Sequence, residues 1–448
     1  MKSPYRQAVA VALGFLTIVA TALGAGRSGL SSSTSQAWPG HTLLAPIALP
    51  TTYLLDIDGN VFHIWESDAP AGNAAYLLPN GHLLRTEQVV PESGRTFDRG
   101  GAGGRIREIA PGGTVLWEFV LSTSERRLHH DVKSLPNGNI LMIAWEAKTA
   151  DQALAAGRDP SSLKDGELWP DTVLEVRPTP PRGGDVVWEW HVWDHLVQDV
   201  DPAKANYGDV AAHLELVDLN YVVAGGPADW NHTNSVAYNA DLDQIVISVH
   251  EFGEIWILDH STTTAEASEH TGGRYGRGGD LLYRWGNPQT YRAGGPQDQI
   301  LFGQHDAQWV ATGLSGQGHV LLFNNGLGRS GQSFSTVDEI ELPLLPDGSY
   351  TRPAAGEAFL PERPVWRYES DGFYSPNISG AQRLPNGDTL ICEGASGHVF
   401  EVTSAGEIVW DYTNPFSASG PRGPRNEVFK VRRYAPDDPA ILQILAAP

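Results

Sequence analysis

Short apolar strands joined by tight polar turns recur along most of the chain. Three segments place Pro-Asn-Gly between two apolar runs, a pattern that predicts a β-hairpin because these residues favour a tight turn. The segments are "LLPNGHLL" at 77–84, "SLPNGNILM" at 134–142 and "RLPNGDTLI" at 383–391. Two degenerate copies, at 238–248 and 312–323, keep the apolar runs on either side of a turn. The chain is therefore predicted to repeat one structural unit.

A second pair of strands follows each hairpin and carries a tryptophan near its end. These tryptophans are Trp117, Trp188, Trp285, Trp366 and Trp410. An outer pair with Trp65 stands alone near the start of the chain, and an inner pair, "EVFKVRRYAPDDPAILQIL", stands alone at its end. Four-stranded units arranged around an axis are propeller blades. The sequence predicts an all-β, six-bladed β-propeller over residues 49–445, closed by strands from both termini, with the tryptophans filling the wedges between blades.

The first residues have the pattern of an export signal. Lys2 and Arg6 precede an apolar run that ends in small residues near Ala25. We expect residues 1–25 to be a cleaved signal peptide, with an uncleaved membrane anchor as the alternative, and residues 26–48 to be a linker. The protein is then expected to be periplasmic or secreted, and to contact a membrane only if the segment stays uncleaved. Cys392 is the only cysteine, so no internal disulfide is expected.

The charge balance bears on possible partners. The 448 residues include 53 acidic and 31 basic side chains, a formal net charge of −22. Nucleic-acid binding requires a basic surface, so this balance argues against a nucleic-acid partner. Nothing in the composition indicates the oligomeric state.

Three histidines fall at matching places in consecutive predicted blades. His130 lies six residues before the turn proline of its blade, and His232 and His305 align with it through their own turns. The first strand of each propeller blade lines the axis, so we expect the three imidazoles to meet on one face. Convergent titratable groups in a cleft indicate a catalytic site.

Four segments that contain these histidines resemble the bacterial arylsulfate sulfotransferases, exported six-bladed propellers that move a sulfuryl group between phenols. The segments are "HHDVKSLPNGNIL", "DWNHTNSVAYN", "FGQHDAQWV" and "FNNGLGRS". The resemblance implies that His305 is a nucleophile that becomes transiently sulfated. It also implies that His130 and His232 bind sulfate oxygens and handle the phenolic proton. The expected partners are a phenolic sulfate donor and a phenol acceptor, in a ping-pong reaction that needs neither a nucleotide nor a metal cofactor.

One position departs from the family pattern. Members of the family have an arginine in the strand that corresponds to "IVISVHEF", where this chain has Val249 followed by His250. His250, Arg329 and Arg425 are candidates to replace that arginine in binding the sulfuryl oxygens. Candidate substrate-binding residues are therefore these three together with His129 and Asn234.

Two other functions stay open at this point. Histidines that converge on a propeller axis also suit iron, copper or zinc, which would make His130, His232 and His305, with His250 as a further candidate, ligands of a metal-dependent enzyme. A propeller that binds a ligand without catalysis is the other alternative. A further motif, "HVWDH", spaces His191 and His195 by four residues but lacks the glutamate of a zinc-protease helix. Asp131 and Asp306 are expected to be structural partners, because neighbours on a strand point to opposite faces.

Overall fold

The computed structural model describes residues 29–91, 97–221, 227–421 and 423–447. The segment predicted to be an export signal, residues 1–25, lies outside the described residues. Within the described part of the chain, no helix has both the length and the apolar character that crossing a membrane requires.

Six antiparallel sheets of four strands or more account for most of the fold, with 40% of residues in strands and 9% in helices. The predicted six-bladed, all-β propeller is confirmed. From the axis outward, the strands are Ala71–Leu77, Leu83–Gln88, Gly104–Ile109 and Val115–Val120 in blade 1; Arg126–Ser134, Ile140–Glu146, Asp171–Pro178 and Gly184–His191 in blade 2; Thr233–Asn239, Gln244–Val249, Glu254–Asp259 and Tyr283–Trp285 in blade 3; His305–Trp309, Val320–Asn324, Thr336–Ile340 and Trp366–Tyr368 in blade 4; Gly380–Arg383, Thr389–Glu393, His398–Val402 and Ile408–Thr413 in blade 5; and Arg432–Tyr434, His41–Leu44, Thr52–Leu55 and Val61–Trp65 in blade 6.

Blade 6 closes the ring with strands from both ends of the chain, but the division differs from the prediction. Only its inner strand, Arg432–Tyr434, comes from the C-terminal side. The second strand is His41–Leu44, which lies in the segment predicted to be a linker. Leu30–Ser33 adds a fifth strand to blade 5 by pairing with Ile408–Thr413. The prediction of a linker at 26–48 is therefore wrong for its described part, and the propeller begins well before residue 49.

The end of the chain is a helix, Pro439–Ala446, where the sequence predicted a strand. Asp438 accepts a hydrogen bond from the backbone N–H of Ala440 at 2.8 Å, and the proline occupies the first turn, where its missing N–H costs nothing. Ile441 and Ile444, three residues apart on one face, are buried in a cluster that includes side chains of blades 1 and 6. A short apolar run does not by itself distinguish a strand from a helix.

A tryptophan near the end of each outer strand joins its blade to the next one. Each indole N–H donates a hydrogen bond of 2.7 to 3.2 Å to a group in the outer part of the following blade. The pairs are Trp65 with Ala110 O, Trp117 with Gly183 O, Trp188 with Thr262 Oγ1, Trp285 with Pro361 O, Trp366 with Ser404 O and Trp410 with Ile57 O. All except Trp366 are buried. These residues are scaffold, as the sequence predicted.

Two insertions stand beside blade 2, at residues 147–170 within the blade and, in the described part of the chain, at 192–221 and 227–232 after it. The smaller elements of the fold are the helices Ala150–Ala155 and Thr264–Ala267; the strand pairs Lys148–Thr149 with Glu167–Leu168, Leu196–Val197 with Val217–Asp218, and Ala418–Gly420 with Gly423–Arg425; and the 3-10 turns Pro160–Ser162, Val192–Asp194, Val210–Ala212, Pro288–Tyr291, Pro296–Asp298 and Gly394–Ser396. The motif "HVWDH" therefore contains a 3-10 turn and does not form the α-helix of a zinc protease.

Candidate active site

The inner strands of five blades are distorted near the histidine positions. In or just before each of these strands, one or two residues take a positive-φ backbone conformation that non-glycine residues rarely adopt. These residues are Asn73 with φ 114°, His130 with φ 52°, His232 with φ 53°, Asp306 with φ 58°, and Ile378 and Ser379 with φ 51° and 92°. The predicted register thus holds for His130 and His232, whereas His305 lies one residue before the left-handed position of its blade. Strained backbone of this kind clusters at functional sites.

Four imidazoles and one phenyl ring form a closed circuit on the propeller axis. Ring centroids are 4.7 Å apart for His130 and His232, 5.1 Å for His232 and His250, and 5.4 Å for His250 and His305. Phe429 completes the circuit at 6.1 Å from His305 and 5.8 Å from His130. The structure therefore brings together the three predicted catalytic histidines and adds His250 between two of them.

His305 is held in one tautomer. Its Nδ1 lies 3.0 Å from Gly303 O and 2.7 Å from Asn325 Oδ1. The Asn325 amide nitrogen donates to the carbonyls of Ser375 and Ile378, so its oxygen must face the imidazole. Both partners of Nδ1 are acceptors, and Nδ1 therefore bears the proton. Nε2 retains its lone pair and has no hydrogen-bond partner in the described residues, which makes it the nucleophilic atom of the ring.

Burial, and then the proximity of His250, holds the pKa of His305 well below its ordinary value. The imidazole is therefore neutral at physiological pH, as a nucleophile requires.

His232 has the opposite charge state. Burial alone would lower the pKa of His232, but the Asp229 carboxylate, 2.5 Å from Nδ1, outweighs burial and raises the pKa to about 9. Asp229 is itself oriented by the indole N–H of Trp145 at 2.8 Å. Burial opposes the ionised form of this carboxyl, yet the His232 charge holds the pKa of Asp229 below its ordinary value. His232 is therefore a buried imidazolium at neutral pH.

His129 and His130 form a second, mutually bonded pair. Their Nδ1 atoms are 2.8 Å apart, so one ring donates to the other. His129 stacks on Trp145 with 4.1 Å between ring centroids, and its Nε2 lies 3.2 Å from Asp171 Oδ1. Burial, followed by the charge of His232, holds the pKa of His130 well below its ordinary value. His129 thus supports His130 from behind, rather than standing in the circuit itself.

The other predicted binding residues occupy different places. Asn234 is fully buried and donates to Gln304 O at 2.7 Å, so it fixes the backbone beside His305. Arg329 lies over the rings of Phe302 and Phe334, and within the described residues it contacts none of the axial histidines. Arg425 is half-exposed and lines a cavity at the mouth of the axis. The structure therefore does not bring Arg329 into the histidine cluster.

A cavity of about 580 Å³ lies next to the histidine circuit. It is bordered by Asn73, Gly101, Asn377 and the guanidinium-bearing residues Arg99 and Arg425. The backbone of Gly101 separates it from His130: a Cβ at Gly101 would lie 2.0 Å from Cε1 of that ring. Its size is within the range of small-molecule sites. His130 is thus buried one residue away from an open cavity.

A network of ions supports the circuit along the axis. Lys430 Nζ lies 2.7 Å from Asp131 Oδ2 and 3.1 Å from Asp306 Oδ1, and Arg432 binds Asp306 with both terminal nitrogens. Tyr76 donates to Asp131 at 2.8 Å. Asp131 and Asp306 are therefore structural, and they join inner strands of different blades rather than residues of one blade.

The axial histidines do not converge as metal ligands usually do. Within the described residues, no three of them place ligand atoms within 4.8 Å of one another; the group that meets this condition is His195, His270 and Asp280. Contacts on the axis run from ring to ring around the circuit. This arrangement suits a substrate bound against several rings better than one ion bound by all of them.

Sequence reasoning missed two residues that set the charge and tautomer of the site. Asp229 stands three residues before His232 in "DWNH", and this spacing was the available signal. Asn325 lies within "FNNGLGRS", one of the segments that resemble the family, but the sequence assigned no role to it. Its role depends on the blade 4 geometry that brings it to His305, 20 residues earlier in the chain.

Comparisons with known proteins identify relatives of this chain. The family model described as "Arylsulfotransferase (ASST)" matches residues 42–414. The arylsulfate sulfotransferase AssT of Escherichia coli O6:H1 is 25% identical over 79% of this chain and 59% of its own length. The protein of the same name from Lelliottia amnigena is 28% identical over 52% of this chain and 40% of its own. The chain thus spans about half the length of these curated relatives.

Proposed function

Because the chain belongs to the arylsulfotransferase family, we propose that it transfers a sulfuryl group from a phenolic sulfate ester to an acceptor phenol. The observation that best supports this activity is the contrast between two rings of the circuit. His305 is neutral with a free Nε2, and His232 is a buried imidazolium. A nucleophile and a cation in one site are what sulfuryl transfer requires, since charge develops on the sulfuryl oxygens and on the leaving oxygen.

In the first half-reaction, Nε2 of His305 attacks the sulfur atom and an N–S bond forms. The S–O bond to the phenol breaks, and its electron pair stays on the phenolic oxygen. His232 gives its proton to that oxygen and becomes neutral. A donor with a pKa of about 9 suits this transfer, because the phenol that is formed has a pKa of about 10.

In the second half-reaction, the acceptor phenol returns a proton to His232. Its oxygen attacks sulfur, the N–S bond breaks, and the electron pair returns to Nε2 of His305. Both rings then regain their starting charge states, so the cycle consumes no further reagent. The hydrogen bond from Nδ1 of His305 to Asn325 stabilises the positive charge that the ring carries while it is sulfated.

In the family, an arginine is expected to provide positive charge for the sulfuryl oxygens. In this chain the imidazolium of His232 provides that charge. His250 follows Val249, where that arginine is expected, and its ring touches both His232 and His305. We therefore propose that His232 carries the charge and that His250 positions the sulfuryl oxygens between these two rings.

Kinetics test the two-step reaction. With 4-nitrophenyl sulfate as donor and varied phenols as acceptors, double-reciprocal plots should be parallel, and labelled 4-nitrophenol should exchange into the donor without any second acceptor. Intersecting lines with no exchange would rule out a sulfated enzyme. A His82→Ala variant is the matched control, because His82 pairs with Glu108 in blade 1, outside the circuit. It should behave as wild type.

We further propose that the protein is exported, on the strength of the charged and apolar pattern of residues 1–25. Fractionation of cells that produce the full chain, with sequencing of the mature N-terminus, tests this. Recovery in the cytoplasmic fraction with the first residues intact would contradict it.

A further inference from the structure

A second cluster of titratable side chains lies away from the axis, between the insertion that follows blade 2 and the outer part of blade 3. Nδ1 of His195 is 2.9 Å from Asp280 Oδ1, and Nδ1 of His270 is 2.8 Å from the same oxygen. These three groups each offer a ligand atom within 4.8 Å of the others. His195 follows the 3-10 turn Val192–Asp194, whereas His270 and Asp280 lie between the third and fourth strands of blade 3.

The hydrogen bonding of His195 leaves Nδ1 as the nitrogen that could bind a cation. Its Nε2 lies 2.9 Å from the carbonyl oxygen of Ala267, which can only accept, so Nε2 bears a proton. A neutral His195 then directs the lone pair of Nδ1 at the Asp280 carboxylate. His195 is fully buried and Asp280 nearly so, which makes two facing acceptors costly unless positive charge lies between them.

The surroundings hold His195 in a fixed orientation. Trp190 stacks parallel to its ring at 5.7 Å and donates its indole N–H to Gly279 O at 2.7 Å. The backbone of Gly279 packs directly on the imidazole, where a Cβ would lie 2.5 Å from Nε2. A metal-binding histidine usually donates the N–H of its non-ligating nitrogen to a carboxylate, a backbone carbonyl or water, as Nε2 of His195 does to Ala267 O, which leaves Nδ1 as the nitrogen that could bind a metal.

One side of the cluster is open. The His270 side chain is 56% exposed, and both His270 and Asp280 line a cavity of about 600 Å³. The cavity also contains Asp194 and Glu215, whose side chains belong to residue types that bind cations or hold metal-bound water. Room for a further ligand is therefore present beside the three side chains.

We propose that His195, His270 and Asp280 bind a divalent transition metal of the zinc class, with water or a cavity side chain completing the coordination. Two imidazole nitrogens and one carboxylate oxygen are a common zinc ligand set, and imidazole disfavours magnesium and calcium. The ion joins the insertion after blade 2 to blade 3. This site is separate from the histidine circuit, so the proposal does not depend on the proposed sulfuryl transfer.

Metal binding to untagged full-length protein, stripped with a chelator and dialysed, tests the proposal. Calorimetric titration with Zn²⁺ should show about one equivalent bound. Thermal unfolding with Zn²⁺ present should give a raised melting temperature. Co²⁺ should give the visible spectrum of a site with nitrogen ligands. His270→Ala should weaken binding by at least about tenfold. Because His270 is exposed, this variant should remain folded. Asp280→Asn should also lose the ion.

His82→Ala is the matched control, because His82 faces a single carboxylate, Glu108, without a second histidine. It should bind Zn²⁺ as wild type does. Two outcomes would overturn the proposal: no saturable Zn²⁺ binding by the wild-type protein, or equal binding by wild type and His270→Ala. The first would mean that only protons hold the cluster together, and the second that the ion binds elsewhere.

Discussion

Replacing Asp229 with asparagine isolates the charge on His232. The substitution keeps the size of the side chain and an oxygen that can accept the N–H of Trp145. It removes the carboxylate that raises the pKa of His232 to about 9, and the burial that remains lowers this pKa. A fall from about 9 to the ordinary value of about 6.5 corresponds to roughly 3 kcal/mol of lost stabilisation of the imidazolium.

The activity should follow this change in charge. At about pH 7.5 the wild-type ring is more than about nine-tenths protonated, whereas in Asp229→Asn less than about one-tenth should be. We therefore expect kcat/KM for 4-nitrophenyl sulfate to fall at least about tenfold at that pH. The alkaline limb of the pH profile should move from near pH 9 to below about pH 6.5. His82→Ala is the control, since His82 pairs with Glu108 in blade 1, outside the circuit.

Stability gives a second measurement of the same ion pair. A histidine whose pKa is raised by folding contributes stability that is fully present below about pH 6.5 and is lost as the pH rises through about 9. The free energy of unfolding of the wild type should therefore decrease over that window, and Asp229→Asn should lack this decrease.

The activity profile gives the result that would refute this reasoning. If the alkaline limb of the kcat/KM profile stays near pH 9 in Asp229→Asn, His232 is not the group whose proton the reaction requires.

Three further substitutions test other parts of the structure. Asn325→Ala should lower kcat/KM by roughly tenfold to a hundredfold, because His305 loses its orienting partner, and should also lower the melting temperature, because the carbonyls of Ser375 and Ile378 lose a buried donor; an unchanged rate would contradict this. Lys430→Met should reduce the free energy of unfolding by about 3 to 5 kcal/mol in urea titrations, since it leaves the buried carboxylate of Asp131 without its ion-pair partner; a loss below about 1 kcal/mol would contradict it. Trp410→Phe keeps an aromatic ring but loses the bond to Ile57 O, and should cost about 1 kcal/mol by the same measurement.

The sequence predicted the repeating part of the fold well, because each blade carries two markers. A hairpin turn marks the inner pair of strands, and a tryptophan marks the outer pair. Where a strand had no such marker, prediction failed. His41–Leu44 is four residues long and has no flanking turn of the repeated kind. Pro439–Ala446 is short and apolar, and its buried face became evident only from its packing.

The site was predictable as far as residues share a register. His130 and His232 were found because inner strands repeat, and His250 because it follows Val249, where the family has an arginine. The partners that set their chemistry were not, since Asp229 and Asn325 reach the rings through turns whose shape the sequence does not reveal. Arg329 was misplaced for the same reason: its loop directs the guanidinium onto Phe302 and not toward the axis.

The cluster of His195, His270 and Asp280 beside blade 3 could not be predicted from the sequence, because its members lie far apart along the chain. His195 was noticed only in a motif with His191, whereas its partners His270 and Asp280 lie 75 and 85 residues farther along the chain. Only the packing of the insertion against blade 3 brings the three together.

Mass spectrometry of the intact protein after mixing with 4-nitrophenyl sulfate tests the nucleophile most directly. We expect the wild type to gain about 80 Da, the mass of one sulfuryl group, and to lose it when phenol is added. Peptide mapping should place the group on His305, and His305→Ala should gain nothing while His82→Ala behaves as wild type. An adduct that persists in His305→Ala, or turnover without any adduct in the wild type, would contradict the assignment of His305 as the nucleophile.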